Sequence, residues 1–147
     1  MSKYSTRLTC EFDDNGLIQQ LYGPNNANLD RIEERLSVTF HTRGNTITIA
    51  GHGDPVETAL IALKSLYCRL EKGQKIDDGD VIGEIKLAED KDGSGINRED
   101  LSIRTRKRHV RPRSPKQATY MEVLDKKAMV FSLGPAGTGK TYIAVAK

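Results

Sequence analysis

The chain has no tryptophan, two cysteines and three histidines among its 147 residues. Cys10 and Cys68 form no CxxC pair and have no histidine cluster beside them, which excludes a structural zinc site with its four ligands. We expect two reduced thiols in apolar surroundings. His41, His52 and His109 are scattered along the chain, so they indicate no nucleophile and base pair.

Long apolar runs are also missing. Each is far shorter than the roughly 20 residues that cross a bilayer, and the N-terminus lacks the apolar core of a signal peptide. Hydrophobic residues make up 37% of the chain and charged residues 29%, which is typical of a chain with a modest core. We therefore expect a cytoplasmic protein without a membrane partner.

The net charge of +3 hides a contrast between two neighbouring segments. From Asp77 to Asp100 nine acidic residues face three basic ones, whereas Arg104 to Lys116 has seven basic residues and no acid. Without that second stretch the chain has 16 basic and 20 acidic residues, a net charge of −4. The positive charge is therefore concentrated in one short segment.

The first 73 residues predict a small domain. Alternation over 7–12 indicates a strand, residues 17–22 a short helix that stops at Gly23-Pro24, and Asn25 or Asn26 caps a second helix. Two alternating segments around Arg43-Gly44-Asn45 predict a hairpin. The longest helix is predicted to have Asp54 as its N-cap and Pro55 as its first residue, and Gly73 ends it. The order β-α-α-β-β-α is that of a KH-like domain, predicted over residues 5–73.

Residues 74–103 predict an acidic, flexible linker without a core of its own. Glycine and aspartate dominate there, and DKDGSG at 90–95 is typical of a loop. Val81, Ile82, Ile85 and Ala88 have the spacing of one short helix, which Gly83 weakens.

Residues 104–147 predict the start of a P-loop nucleotide-binding domain. Residues 118–125 indicate a helix and 128–133 an apolar strand. The Walker A pattern GxxxxGK[ST] follows directly and matches Gly134, Gly139, Lys140 and Thr141. The expected fold is thus α/β overall, with a small α+β domain, a linker and the first strand, loop and helix of a truncated P-loop domain.

The chemistry of phosphate binding explains these residue types. Glycines let successive backbone N–H groups approach a polyphosphate without a Cβ collision. Lys140, the candidate catalytic residue, supplies a cation to the β and γ phosphates, and the Thr141 hydroxyl is a candidate Mg²⁺ ligand. The remaining candidate ATP-binding positions are Gly134, Pro135, Ala136, Gly137, Thr138 and Gly139.

The motif does not define the reaction, since ATPases, GTPases, small-molecule kinases and helicases share it. No second apolar strand that ends in a carboxylate follows. We therefore expect the sequence to be the N-terminal portion of a longer protein and not to turn over nucleotide alone. A glycine turn with a surface lysine is the alternative without function.

RPRSPKQATY, the apolar strand and GPAGTGKTYIAVAK together resemble the PhoH-like ATPase family, as does GPNNANLDRIEERLSVTFHTRGNTITIAG upstream. The resemblance implies a cytoplasmic ATPase and hydrolase with a helicase-like core, associated with RNA metabolism. The resemblance also implies a candidate partner, because some members of the family are associated with an endoribonuclease that matures ribosomal RNA. The family's Walker B carboxylate has no counterpart here, and the oligomeric state of the full-length protein stays open.

The resemblance also assigns a role to Gln117, 17 residues before Gly134. It matches the glutamine that hydrogen-bonds the adenine edge in related cores, a task that suits a carboxamide because it both donates and accepts. Arg113 and Tyr120 are candidates to flank the base. The alternative for Gln117 is an ordinary exposed helical residue.

Two segments are candidates for RNA binding. KH domains hold single strands at a GXXG loop; this chain has Gly23-Pro24-Asn25-Asn26 there, and Pro24 removes one amide donor. Gly23 and Asn25 are the candidate contacts, unless the domain only docks a protein. The stretch from Arg104 to Lys116, here called the basic run, is the second candidate. Its candidate contacts are Arg104, Arg106, Lys107 and Arg108.

Each of these assignments has an alternative. The basic run is also explained as a solvated face, or as a segment that neutralises the acidic linker. For the whole chain, the favoured function is an RNA-associated ATPase. A non-catalytic module that binds RNA or a protein is the second hypothesis, and a metabolite kinase explains the loop but not the KH-like region.

Overall fold

The computed structural model describes residues 6–90, 101–106 and 109–147. They form mixed α/β structure in two compact units that divide between Glu89 and Asp90, and each unit is described by itself. No helix among these residues has the length and apolar character needed to cross a membrane.

The first unit contains a three-stranded antiparallel sheet. Its strands are β1 (Thr6–Glu11), β2 (Thr39–Arg43) and β3 (Thr46–Gly51), in the spatial order β1-β3-β2. The two-residue turn at Gly44-Asn45 joins β2 to β3, and Gly44 has the positive φ of 61° that such a turn requires. The central strand β3 buries Ile47 and Ile49 completely.

Three helices follow the predicted order. Helix α1 (Asn15–Tyr22) begins at Asp14, whose carboxylate accepts from the N–H groups of Gly16 and Leu17 at 2.7 and 3.1 Å. A short 3₁₀ turn (Pro24–Asn26) leads into α2 (Ala27–Leu36). Helix α3 (Asp54–Glu71) starts one residue earlier than predicted, because Gly53 and not Asp54 is its N-cap.

One apolar core lies between the sheet and the helices. The apolar positions of α3 recur every three or four residues, so they share one face of the helix. The fully buried side chains of that face are Val56, Ala59, Ala62, Leu63 and Leu66. They pack with residues of α1, α2 and β3 in one cluster.

The segment from 78 to 89 forms helix α4 (Asp78–Glu89), which confirms the short helix predicted from the spacing of Val81, Ile82, Ile85 and Ala88. It differs from the predicted linker in that Val81 and Ile85 are fully buried in the same core. The prediction that this stretch contributes nothing to a core is wrong for these twelve residues. The loop predicted at 90–95 lies, apart from Asp90, outside the described residues.

Ion pairs explain how so acidic a helix lies against a core. Arg69 of α3 donates to Asp80 at 3.0 Å and to Glu84 at 3.2 Å, and all three side chains are almost completely buried. Two exposed pairs join α2 to α4, Arg31 with Asp78 and Arg35 with Glu89. The carboxylates of Asp80 and Glu84 are therefore paired with Arg69, whereas the acidic composition of the segment suggested that they contact solvent.

The described part of the second unit has a small hairpin and two helices. Strands β4 (Ile103–Arg104) and β5 (His109–Val110) pair antiparallel, followed by α5 (Pro115–Lys126) and α6 (Lys140–Ala146). The predicted strand at 128–133 is absent from the structure. A strand needs a hydrogen-bonded neighbour, and the described residues provide none for it. Three of its apolar side chains are consequently exposed: Met129, Phe131 and Leu133.

Candidate functional site

The glycine-rich loop lies between residue 133 and the start of α6. Gly137 and Gly139 have φ angles of 77° and 81°, in the left-handed region that side chains with a Cβ rarely adopt. Gly139 forms the N-cap of α6, and its carbonyl accepts from the N–H of Ile143, which is buried. The sequence therefore folds locally into a tight turn that leads directly into a helix.

The Lys140 ammonium group lies within this turn. Its Nζ donates to the carbonyl oxygens of Gly134 at 2.8 Å and Pro135 at 2.5 Å, and to the Thr138 hydroxyl at 2.9 Å. An ammonium group has three N–H donors, and each of them has an acceptor oxygen in the loop. The structure thus brings together four of the predicted site residues.

Thr138 connects this lysine to a residue far along the chain. Its hydroxyl donates to the Pro135 carbonyl at 3.0 Å, and its carbonyl oxygen accepts from Gln117 Nε2 at 3.1 Å. Gln117 Oε1 in turn accepts from the backbone N–H of Arg113 at 2.7 Å. Both ends of the predicted adenine-binding carboxamide therefore contact the protein backbone.

Helix α5 fixes the position of Gln117. Ser114 is its N-cap and accepts from the Gln117 N–H at 3.2 Å, with Pro115 at the first helical position. Ser-Pro before a helix is a sequence signal for such a start, whereas the contact between Gln117 and the loop has none. Arg113 is exposed and Tyr120 half-buried, and no contact of either with a base follows from the structure.

The candidate Mg²⁺ ligand of this chain is one hydroxyl group. Thr141 is exposed in the first turn of α6. The described residues contain no group of three or more His, Cys, Asp or Glu side chains placed to hold a metal. One protein hydroxyl suits Mg²⁺ if oxygens of a nucleotide and water molecules supply the other ligands. The role of Thr141 stays a prediction.

The loop predicted to bind RNA borders a groove of about 640 Å³. Carboxamide, tyrosine and glycine residues line it together with one isoleucine: Asn15, Ile18, Gln19, Tyr22, Gly23, Asn26 and Gly44. These side chains carry no charge, so the groove offers hydrogen bonds but no cation for a phosphate. Asn25 lies in the adjacent 3₁₀ turn with a positive φ of 52°.

Gly23 has a structural reason to be glycine. Its φ is 73°, and a Cβ at this position would lie 2.8 Å from the Asn28 amide nitrogen. Asn28 is buried and donates to the Leu21 carbonyl at 3.0 Å. Sequence patterns did not identify Asn28, because one asparagine within a helix is an ordinary event.

The basic run surrounds the β4–β5 hairpin. Arg104 and His109 are exposed cross-strand partners, and Ile103 pairs with Val110, which is buried. Arg106 is exposed in the connection between the strands. The other two predicted contacts, Lys107 and Arg108, lie outside the described residues.

Comparisons with known proteins connect these observations. The family model described as PhoH-like protein matches residues 109–147. The chain is 32% identical over 130 residues to a PhoH-like protein of Bacillus subtilis, covering 86% of this chain and 41% of that protein. It is 33% identical over 137 residues to a PhoH-like protein of Mycobacterium tuberculosis, covering 89% and 38%.

A PhoH-like protein of Synechocystis is more distant, at 24% identity over 127 residues, with 84% of this chain and 39% of that protein covered. The chain thus spans about two fifths of the length of these curated relatives. No solved structure matches it significantly.

Proposed function

The chain belongs to the PhoH-like family, and on that premise we propose that residues 134–141 bind the phosphates of ATP in an ATPase. The loop amides from 137 to 140 and the Lys140 ammonium group contact the phosphate oxygens. Thr141 coordinates Mg²⁺, which neutralises charge on the phosphates when it is bound.

One observation supports this proposal most directly. The Lys140 ammonium group is held by three oxygen acceptors at the mouth of an exposed glycine turn, next to a helix N-terminus. These three hydrogen bonds place a positive charge within the glycine turn. Cation, exposed amides and helix terminus together suit a polyphosphate.

The proposal extends to RNA. We place this ATPase in cytoplasmic RNA metabolism, with a KH-like first unit and, among its partners, a nuclease that matures ribosomal RNA. The β-α-α-β-β-α order and the sheet order β1-β3-β2 support the KH-like arrangement. These roles are proposed for the whole protein, since the chain spans about two fifths of the length of its curated relatives.

A non-catalytic binding module is the second candidate function. The uncharged groove beside Gly23 and the exposed arginines of the β4–β5 hairpin favour it, since neither has a role in nucleotide hydrolysis. It differs from the first candidate in that it requires no ATP.

The decisive experiment uses the full-length protein and measures ATP binding by calorimetry, with Mg²⁺ supplied, and hydrolysis by phosphate release. We expect Lys140→Ala to weaken ATP binding about 10- to 100-fold, because it removes charge-assisted hydrogen bonds, and to abolish hydrolysis. Lys127→Ala, at the exposed C-cap of α5, is the matched control and leaves both unchanged. Intact turnover in Lys140→Ala would remove the loop from the mechanism.

A further inference from the structure

The carboxamide of Gln117 joins two backbone segments of the second unit. Its Nε2 donates to the Thr138 carbonyl in the glycine-rich loop, and its Oε1 accepts from the Arg113 N–H just before α5. The residues it connects are 25 positions apart in the sequence. Both polar atoms of the carboxamide therefore have partners within the protein.

Gln117 also lies against the next residue of the loop. A Cβ on Gly139 would be 3.0 Å from Gln117 Nε2, closer than about nine in ten real Cβ contacts. Gly139 already needs its glycine for a φ of 81°. The carboxamide therefore packs on the loop at two consecutive residues, Thr138 by hydrogen bond and Gly139 by contact.

The hydrogen bonds continue from Thr138 to Lys140. When Gln117 fixes the peptide that carries the Thr138 carbonyl, it also limits where the Thr138 hydroxyl lies. That hydroxyl accepts from Lys140 Nζ at 2.9 Å. The position of the proposed phosphate-binding cation thus depends on a side chain that does not touch it.

We infer that Gln117 is a positioning residue for the phosphate loop and not the group that selects adenine. The inference rests on the proposed function, because it concerns the same loop. It differs from the role implied by resemblance, in which the carboxamide hydrogen-bonds the base edge. If Gln117 acts through the loop, every ligand that uses the loop depends on it equally, whatever base the ligand carries.

Three ligands separate the two roles: ATP, GTP and inorganic tripolyphosphate, each measured by calorimetry with Mg²⁺. Gln117→Met keeps the length and loses both hydrogen bonds, whereas Gln117→Glu keeps the acceptor for Arg113 and loses the donor to Thr138. We expect both variants to lose about 3- to 10-fold in affinity for all three ligands alike, as one or two hydrogen bonds predict. Thr119→Met, exposed on the same helix, leaves all three affinities unchanged.

A second measurement needs no nucleotide. Trypsin cleaves after lysine, and the Lys140–Thr141 bond lies where the loop enters α6. We expect faster cleavage at this bond in Gln117→Met than in the parent protein or Thr119→Met, while the circular dichroism melting curves show that each variant is folded.

The outcomes are distinct. A loss confined to ATP, with GTP and tripolyphosphate unaffected, would overturn the inference and restore the adenine contact. Unchanged affinities and unchanged cleavage would overturn it as well. A parent protein that binds none of the three ligands would instead refute the proposed function, and the inference with it.

Discussion

Arg69 of α3 and Glu84 of α4 form a nearly buried ion pair, with 3.2 Å between the guanidinium Nη1 and the carboxylate Oε1. The same guanidinium group reaches Asp80, and Ser65 donates to the other oxygen of Glu84 at 2.7 Å. This network fastens an acidic helix to an apolar core. Its removal would leave two carboxylates without their cation.

We predict that Arg69→Met lowers the free energy of unfolding by about 3 kcal/mol, because breaking a buried pair strands the opposite charge. Arg31→Met is the control, since its pair with Asp78 is exposed and costs at most about 1 kcal/mol. Urea denaturation of both variants measures the difference. Equal losses would show that burial of the Arg69 network has no energetic weight.

The buried face of α4 allows a second prediction within one helix. Ile85 is fully buried, whereas Ile82 is 39% exposed. We expect Ile85→Ala to cost about 2–4 kcal/mol through lost burial and the cavity left behind, and Ile82→Ala less than about 1 kcal/mol. Thermal and urea unfolding test this. A negligible effect of Ile85→Ala would show that residues 78–89 do not contribute to the core and act as a linker.

The two cysteines are expected to differ in reactivity. Burial raises the pKa of the Cys10 thiol above its ordinary value of 9.0, and nearby Lys64 lowers it by less. A raised pKa leaves less thiolate at pH 8, and the thiolate is the reactive form. We predict slower alkylation by iodoacetamide at Cys10 than at the half-buried Cys68, measured by mass spectrometry of each peptide. Faster modification of Cys10 would contradict its burial.

The basic hairpin provides the test for RNA binding. We predict that changing Arg106, Lys107 and Arg108 together to glutamine weakens retention of single-stranded RNA. It should also reduce the slope of log K against log salt by about 2, as three lost phosphate contacts require. The charge-matched control changes Lys64, Lys86 and Lys127, all exposed, to glutamine. If the two triple variants weaken RNA retention equally, the hairpin acts only through the net charge of the protein and is not a specific RNA contact.

Local patterns predicted most of the first unit. Alternation, capping residues and turn glycines are encoded within a few neighbouring positions, so β1 to β3 and α1 to α3 follow from the sequence. The spacing of the apolar residues also predicts helix α4, but its place in the core does not follow from composition, which counts its carboxylates as solvent-exposed. Asp80 and Glu84 are paired by Arg69, which lies on another helix.

The second unit shows the complementary limit. An apolar run such as 128–133 indicates a strand, but a strand forms only where a neighbour supplies hydrogen bonds. At the loop, the motif identified Lys140 and the glycines because their spacing is fixed by the chain. The contact between Gln117 and Thr138 joins residues 21 positions apart, so it depends on tertiary structure.

The hydrogen bonds from Lys140 to its own loop have a consequence for the thermodynamics of ligand binding. Because Lys140 makes three hydrogen bonds within its own loop, a triphosphate that binds there would replace the carbonyl and hydroxyl acceptors with its own oxygens and would add few hydrogen bonds to the total. The measured heat of binding should therefore be small for so many contacts. Charge neutralisation would then supply most of the affinity, which should decline steadily as potassium chloride is added.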